Sequence, residues 1–483
     1  MSRISRRQFL GDATLAAAAV SSIPVLGSEL RRTLGPNSKL RVAVIGVKGR
    51  GSYHLASFLK RDDVEVAAIC DIDSNHVGGV MARIEKQNGK KPVYYQDARK
   101  LFDDQSIDAV SIATCNHTHS LLGVWAMQAG KHAYVEKPLS HNVWEGRKLV
   151  EVQKKHGKVL AHGTQCRSMK GMCEAMAFLH SGKLGKVKIA RGFCYKERKS
   201  IGKVADGAVP EGVDHNLWLG PAPERPFNPN KFHYNWHWNW DTGNGDLGNQ
   251  GVHQMDIARW GVNKQGLPHT VQSVGGRLGY QDDGETPNTQ IGLLDYGDCR
   301  IIFEVRGLST DEYQPNGDKE SLVKIGVVFE CTEGVLVVPT YTSAIAYDLK
   351  GKLIQRFGGG DDVDHFLNFI DAVKANRPEG VNATALDGHL SSSLCHMVNI
   401  SHRVGELQPL AKNDPFSSGE GNETFNRMRS HLQGNEIDLE KTQISVGRAL
   451  TIDPKTESFV DNAEANKLLT REYRKPFVIP EQV

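Results

Sequence analysis

LRVAVIGVKGRG, residues 40–51, decides the fold. An almost wholly apolar run stops at Gly46, and Lys48, Gly49, Arg50 and Gly51 follow at once. A continuous apolar run belongs to a strand buried on both faces, as in a parallel sheet. Downstream, Leu55, Phe58 and Leu59 share one helical face, and VEVAAIC (64–70) is the next strand. Val77, Val80, Met81 and Ile84 then repeat at helical spacing. IDAVSIAT (107–114), HAYVE (132–136) and KVLAHG (158–163) are further strands, each a helix length from the one before. Alternating strands and helices with right-handed crossovers predict a doubly wound (Rossmann) parallel sheet over residues 39–165.

In that fold the turn after the first strand lets a pyrophosphate approach backbone N–H groups at a helix N-terminus. The usual fingerprint is G-x-G-x-x-G. Here Lys48 takes the second glycine place and Gly49 is an extra glycine beside it. Alone, Gly46 to Gly51 also reads as a plain strand–helix turn. Asp71 ends the second strand, about twenty residues on, where an acid bonds the adenine-ribose hydroxyls. Loop, strand, helix and acid in this order point to a dinucleotide. Asp73 adds negative charge that would repel a 2′-phosphate, which favours NAD. Lys48 and Arg50 offset that repulsion and leave NADP open.

HAYVEKPLS (132–140) ends an apolar run with an ionisable pair and a proline. Ligands of open parallel sheets bind outside the carboxyl ends of the strands, where Lys137 lies. A partly desolvated lysine beside a positive nicotinamide has its pKa pulled down. It can then take a hydroxyl proton as hydride leaves carbon. The plainer alternative is that Lys137 pairs with Glu136 at a strand terminus.

Residues 166–360 change period. KVKIARGFCYKER (186–198), TQIGLLDYG (289–297), CRIIFEVRG (299–307), LVKIGVVFEC (322–331) and GVLVVP (334–339) read as strands joined by hairpins. They predict an α+β domain with an open, mainly antiparallel sheet, helices on one side, closing the cleft of the first domain. FHYNWHWNWDTGNGDLGNQGVHQMDIARW (232–260) places four glycines ahead of a helix beginning near Val252. Trp236, Trp238 and Trp240, with His237 among them, would share one face of a strand. Such a face suits the C–H surfaces of a sugar, or else a core or oligomer seam. Arg167, Tyr195, Lys196 and Arg198 are further substrate candidates, with a solvated strand edge as the alternative. His117 with His119, and His233 with His237, lack a carboxylate or thiolate that completes a metal set, so no metal is expected.

DHFLNFIDAVKANRPEG (364–380) and ALDGHLSSSLCHMVNISHRVG (385–405) are helices that pack back on the core, in a segment spanning 361–410. Residues 411–483 read as a polar, irregular extension, either wrapping the body or serving as an oligomer arm. The chain of 483 residues exceeds one ordinary core. Its eight cysteines form no C-x-x-C pair and read as buried thiols, with disulfides left open.

TCNHTHS (114–120) followed by EKP (136–138) resembles the family of glucose–fructose oxidoreductase, inositol dehydrogenase and MocA-like proteins, over most of residues 39–410. The resemblance implies dinucleotide contacts from Thr114, Asn116, His119 and Glu136. It implies that Lys137 faces the substrate and that its bond to Pro138 is often cis. Asn249 to Asp256 match the family's Asp-x-Gly-x-His-x-x-Asp, so His253 takes the place of its catalytic or substrate-orienting histidine. Asn249 replaces the usual aspartate. An asparagine can hold a sugar hydroxyl but cannot accept a proton, which leaves Lys137 and His253 as the acid–base pair.

MSRISRRQFLGDATLAAAAVSSIPVLG opens the chain with a basic start and an Ala-rich stretch, as in an export signal. Its paired arginines resemble a twin-arginine signal, assigned to residues 1–36. Arg3, Arg6, Arg7, Arg31 and Arg32 against Asp12 and Glu29 account for the whole formal excess of +3. The remaining chain is neutral and gives no reason to expect nucleic-acid binding. No stretch is long and apolar enough for a membrane span in the mature chain. The expectation is an exported, periplasmic, homo-oligomeric NAD(P)-dependent oxidoreductase acting on a carbohydrate or polyol. Free dinucleotide is scarce outside the cytoplasm, so its cofactor would be tightly held and recycled. The alternatives are an NAD-dependent glycosidase working through transient sugar oxidation, and a non-catalytic sugar- or nucleotide-binding protein.

Overall fold

A computed structural model describes residues 38–482 except 316, 412 and 413; the twin-arginine-like segment lies outside the described residues. The first domain holds six strands: β1 (Leu40–Ile45), β2 (Val64–Cys70), β3 (Val93–Tyr95), β4 (Ala109–Ile112), β5 (His132–Val135) and β6 (Leu160–His162). They pair in parallel in the order β3-β2-β1-β4-β5-β6. The order reverses between β1 and β4, which opens a crevice at their carboxyl ends. Ala43, Ile45, Val110, Ile112, Ala133 and Val135 are buried in one apolar cluster with residues of the helices Asn116–Gln128 and Val143–His156. β3 has no sequence signature, being three residues long with an exposed Val93 and two half-buried tyrosines.

The second sheet has twelve strands. β7 (Val187–Tyr195), β8 (Thr270–Gly276), β9 (Thr289–Asp295), β10 (Arg300–Arg306), β11 (Ile325–Cys331), β12 (Gly334–Val338), β13 (Ser343–Asp348) and β14 (Leu353–Gly358) precede β15 (Glu406–Pro409), β16 (Gln443–Val446), β17 (Leu450–Asp453) and β18 (Ser458–Phe459). Pairing is antiparallel throughout except between β7 and β10. Alternation along β10 shows why. Ile301, Phe303 and Val305 enter the core shared with the helices Lys170–His180, Gly251–Val262 and Ala385–Arg403, whereas Ile302 enters a second cluster on the opposite face.

Three expectations are corrected. Residues 411–483 are not irregular: they contain the helix Gly419–Gly434 and strands β16 to β18, and β16 joins the main sheet against β8 and β15. That helix buries Phe425, Met428 and Leu432 against Ile189, Ile291, Leu293 and Ile302, so both sheet faces carry helix, not one. Its charged and polar majority masks a narrow apolar stripe, and each strand is at most four residues long. The Trp-rich stretch is no strand. Asn235–Trp238 forms a tight 3-10 turn, which sends Trp236 and Trp238 to different surroundings.

Residue volume at two glycine sites separates packing from propensity. A Cβ on Gly51 would lie 1.7 Å from the Gly46 carbonyl oxygen, whereas one on Gly79, in the exposed face of the helix Val77–Asn88, meets nothing within 4 Å. Denaturant unfolding should show Gly51→Ala destabilised by about 1–3 kcal/mol or more, and Gly79→Ala stabilised by about 0.5–1 kcal/mol.

Candidate active site

The carboxyl ends of β1, β2, β4 and β5 open onto a cleft of about 550 Å³, roofed by the second domain and by the C-terminal segment. Gly46 stands at φ 82°, and a Cβ there would meet the Ala113 carbonyl oxygen at 2.7 Å, so β1 and β4 approach too closely for any side chain. The helix Arg50–Leu59 begins at Gly49 with no side-chain cap and no acid in its first turn. Its N-terminal dipole therefore faces the cleft unmet by any protein carboxylate of its own. Gly46, Lys48, Gly49 and Arg50 line the cleft; Gly51 lies behind them, in contact with Gly46.

Asp71 lines the cleft at the end of β2. Its Oδ2 accepts the Val47 N–H at 2.9 Å and its Oδ1 the Asp73 N–H at 3.0 Å, which fixes the carboxyl group. Burial raises its pKa, with those two N–H bonds opposing. Asp73 is turned away from the cleft. Its Oδ2 takes the Nε2 atoms of His76 at 3.1 Å and His233 at 2.9 Å. Burial lowers the His233 pKa, so its contact hydrogen-bonds the Asp73 carboxylate without cancelling its charge; Asp71 is the acid that lines the cleft. Asp73, His76 and His233 bring one ligand-type atom each within 4.8 Å of one another, a grouping that sequence spacing did not disclose. Lys48 Nζ lies 2.9 Å from His76 Nε2, so an ammonium already occupies one of the three ligand-type atoms, while His233 meets the Asp73 carboxylate.

Glu136, 3% exposed, is the node of the opposite wall. Its Oε1 accepts Arg50 Nε at 2.8 Å and His54 Nε2 at 3.1 Å, and its Oε2 accepts the Lys137 N–H at 3.1 Å. Burial pushes the carboxyl up, but Arg50 and His54 hold it well below the usual carboxylate range. Because a carboxylate only accepts, His54 donates from Nε2 and its Nδ1 meets the Ser111 hydroxyl at 2.7 Å. Arg50 continues to Asp362 at 2.9 Å.

Lys137 follows, and its bond to Pro138 is cis. Its Nζ donates to the backbone carbonyl of Asn249 at 2.8 Å, the last residue of the helix Gly245–Asn249. Burial lowers the amine's pKa; Glu136 opposes, while Arg50 and Lys196 add to the lowering. His253 lies in the same cleft, its ring 5.2 Å from that of Tyr341. Burial and then the Lys137 charge hold it well below the ordinary histidine value, so it is neutral near pH 7. Its Nδ1 has no hydrogen-bond partner, and neither has Nδ2 of Asn116 nor Oε1 of Gln165, all buried at the cleft. Lys196 Nζ donates to Gln250 Oε1 at 2.8 Å, and Arg198 grips Asp246 at 2.7 and 2.8 Å.

Thr114 and His119 also line the cleft. Thr114 Oγ1 is bonded to Thr118 at 2.7 Å. His119 sits between the Pro138 carbonyl, 2.7 Å from Nδ1, and the Thr114 carbonyl, 3.1 Å from Nε2; burial lowers its pKa, and the neutral ring donates its one N–H to one of them. Trp236 and Asn249 are on the wall as well. Four substrate candidates are not. Arg167 makes a buried bidentate pair with Asp256 at 2.8 and 2.9 Å. Tyr195 donates to Glu304 at 2.7 Å on the other face of the sheet. His237 caps its own turn through the Tyr234 carbonyl at 2.7 Å, and burial lowers its pKa to about 4. Trp238 lies under Arg277, 4.6 Å from ring to guanidinium. In each case a polar group or aromatic face is already committed to another protein group. Conversely, Gln165, Trp218, Gln250, Tyr341 and Phe477 enter the cleft without having been singled out. Gln250 stood inside the Asn249–Asp256 motif, while Tyr341 and Phe477 come from distant segments with no local signal.

These features fit a dinucleotide: an uncapped helix start, a glycine cradle that a Cβ would fill, a fixed acid at the end of β2, and orphaned polar atoms at the far end. The comparisons agree. Residues 40–164 match the NAD-binding Rossmann-fold model of the GFO/IDH/MocA oxidoreductase family, and residues 163–418 match that family's C-terminal alpha/beta domain. A glycosyl hydrolase family 109 protein from Shewanella pealeana is 32% identical over 174 residues, covering 32% of this chain and 38% of that protein. An alpha-N-acetylgalactosaminidase from Shewanella oneidensis is 32% identical over 147 residues, covering 29% and 32%. The chain thus matches only about a third of the length of these curated relatives. The WlbA dehydrogenase of Bordetella pertussis, crystallised with NADH and UDP-GlcNAcA, shares the fold with a TM-score of 0.56 at 16% identity, covering 76% of this chain and 97% of that one. With both of its domains matched, the chain belongs to the GFO/IDH/MocA oxidoreductase family, and its first domain is that family's NAD-binding Rossmann fold.

Proposed function

We propose that the protein is an NAD-dependent oxidoreductase that moves a hydride between a carbohydrate and the nicotinamide, with Lys137 as the proton-transfer group. The observation that carries this reading is the half-buried Lys137, whose amine is lowered in pKa by desolvation and anchored at 2.8 Å to the Asn249 carbonyl on the cleft wall. Gly46, Lys48, Gly49 and Arg50 would hold the pyrophosphate, Asp71 the adenine ribose, and Thr114, Asn116 and His119 the nicotinamide half. When bound, the nicotinamide supplies a two-electron hydride acceptor or donor. The chain does the rest. Lys137 in its neutral form takes the proton of a substrate hydroxyl, so that the carbinol carbon can give up its hydride and become a carbonyl. Asn249 and Gln250 offer amide groups for neighbouring hydroxyls, and Trp236 an aromatic face for a sugar ring. His253, neutral and with a free Nδ1, can accept or return a second proton.

That second group favours one further reading. Oxidation of a ring hydroxyl two carbons from the anomeric carbon acidifies the C–H that lies between them; loss of that proton expels the aglycone from the anomeric carbon by β-elimination, water adds back across the new double bond at the anomeric carbon, and the hydride returns to the carbonyl. This sequence needs two acid–base groups, and the names of the family 109 relatives point the same way. Export by the twin-arginine route stays part of the proposal, resting on Arg6-Arg7-x-Phe9-Leu10. A redox-neutral cycle suits a compartment poor in free nucleotide.

Replacing Lys137 by alanine should lower sugar-dependent change in the nicotinamide absorbance by about 10²–10⁴-fold while nucleotide stays bound. Retention of full activity would refute the assigned role. A panel of free sugars and aryl glycosides separates the two chemistries. Accumulating reduced nicotinamide marks the dehydrogenase, whereas aglycone release without net reduction marks the glycosidase.

A further inference from the structure

We propose that residues 471–480 form a cofactor-retaining strap, in which Phe477 supplies the outer wall of the adenosine end of the cleft. This rests on reading the cleft as the dinucleotide site. Phe477 is 3% exposed although it lies near the end of the chain. It joins the apolar cluster of the first domain together with Ile479, Leu121 and Leu122, and its ring is 6.3 Å from that of Trp125. It lines the same cleft as Asp71, Ile72 and Ala98. Arg99, in the helix that follows β3, lies 5.4 Å over the Phe477 ring. This places Phe477 at the β3–β2 side of the sheet, whereas Lys137 follows β5 on the other side of the switch point. A purine would sit on the β2 side, and aromatic and guanidinium faces are the groups that stack on a purine.

Arg474 makes the strap a clamp. Its guanidinium lies 4.7 Å over the Phe477 ring and donates to the carbonyls of Gly220 at 3.1 Å, Ala222 at 3.2 Å and Asn216 at 2.7 Å. That stretch of the second domain gives Leu217, Trp218 and Gly220 to the cleft. At its other end the strap is held by Tyr473, which donates to the buried Glu145 at 3.1 Å, and by Arg471, which meets His141 Nδ1 and the Asp241 carbonyl, both at 3.0 Å. One short segment therefore ties both domains together across the adenosine end. A nucleotide leaving by that end must displace Phe477 or break the Arg474 bonds.

The test is the release rate of isotope-labelled NAD from the loaded full-length protein, chased with excess unlabelled NAD. Phe477→Ala should release nucleotide about ten- to a hundredfold faster, the span expected from losing one stacking partner. Arg474→Gln keeps the buried ring and should still release severalfold faster, so it decides the matter if Phe477→Ala does not fold. Release from folded variants within about twofold of the wild type overturns the strap, leaving the function proposed above untouched. If the wild-type chain binds no NAD, both readings fall together.

Discussion

The arrangement depends on the buried carboxylate of Glu136. It receives Arg50 from the glycine turn, His54 from the following helix and the N–H of Lys137. A lone carboxylate taken out of water is costly, and the cost is recovered only when its acceptors are filled with good geometry. Here both oxygens are engaged, and Arg50 reaches on to Asp362. One ion-pair network thus fixes the distance between the first and fifth strands of the parallel sheet. It holds the residue before Lys137, and so aims the amine.

The same charges set the state of that amine. Burial disfavours its ammonium form, and Arg50 and Lys196 oppose it further, while Glu136 pulls the other way. The Asn249 carbonyl accepts from Lys137 in either protonation state, so the amine stays in place as it titrates. This gives Asn249 a use that its side chain did not suggest. The family's aspartate is replaced, but the backbone carbonyl at a helix end is still available. His253 is neutral for a similar reason: burial and the nearby Lys137 charge. Two ionisable groups are thereby brought toward their uncharged forms in one cleft, which is the condition under which both can pass protons near neutral pH.

Most of the first domain was legible because its physics is local. LRVAVIG, VEVAAIC and HAYVE are continuous apolar runs, Gly46 to Gly51 mark the turn, and Asp71 falls where the next strand must end. The open, mainly antiparallel second sheet was legible from period-two runs such as CRIIFEVRG. Three-dimensional commitments were not. Nothing around Arg167 reveals that Asp256, 89 positions away, occupies its guanidinium. Tyr195 alternates onto the far face of its strand and meets Glu304 there. The three tryptophans at period two mimic a strand, but Asn235 to Trp238 close a tight turn instead. Phe477, in a polar tail, gains its place through Arg474 nearby and through Arg99, Trp125 and the apolar cluster of the first domain.

The C-terminal extension is therefore part of the body: a helix under one sheet face, strands added to the sheet edge, and a strap over the cleft. The claim on which the chemistry stands is that the Lys137 amine is desolvated and titrates low. Labelling the lysine side chains with ¹³C, assigning Lys137 by its loss in Lys137→Arg, and following its Cε shift with pH measures this directly. A midpoint below the ordinary value of 10.5 is predicted, with the neutral base gained as pH rises through that midpoint. A midpoint at or above 10.5 would contradict the account.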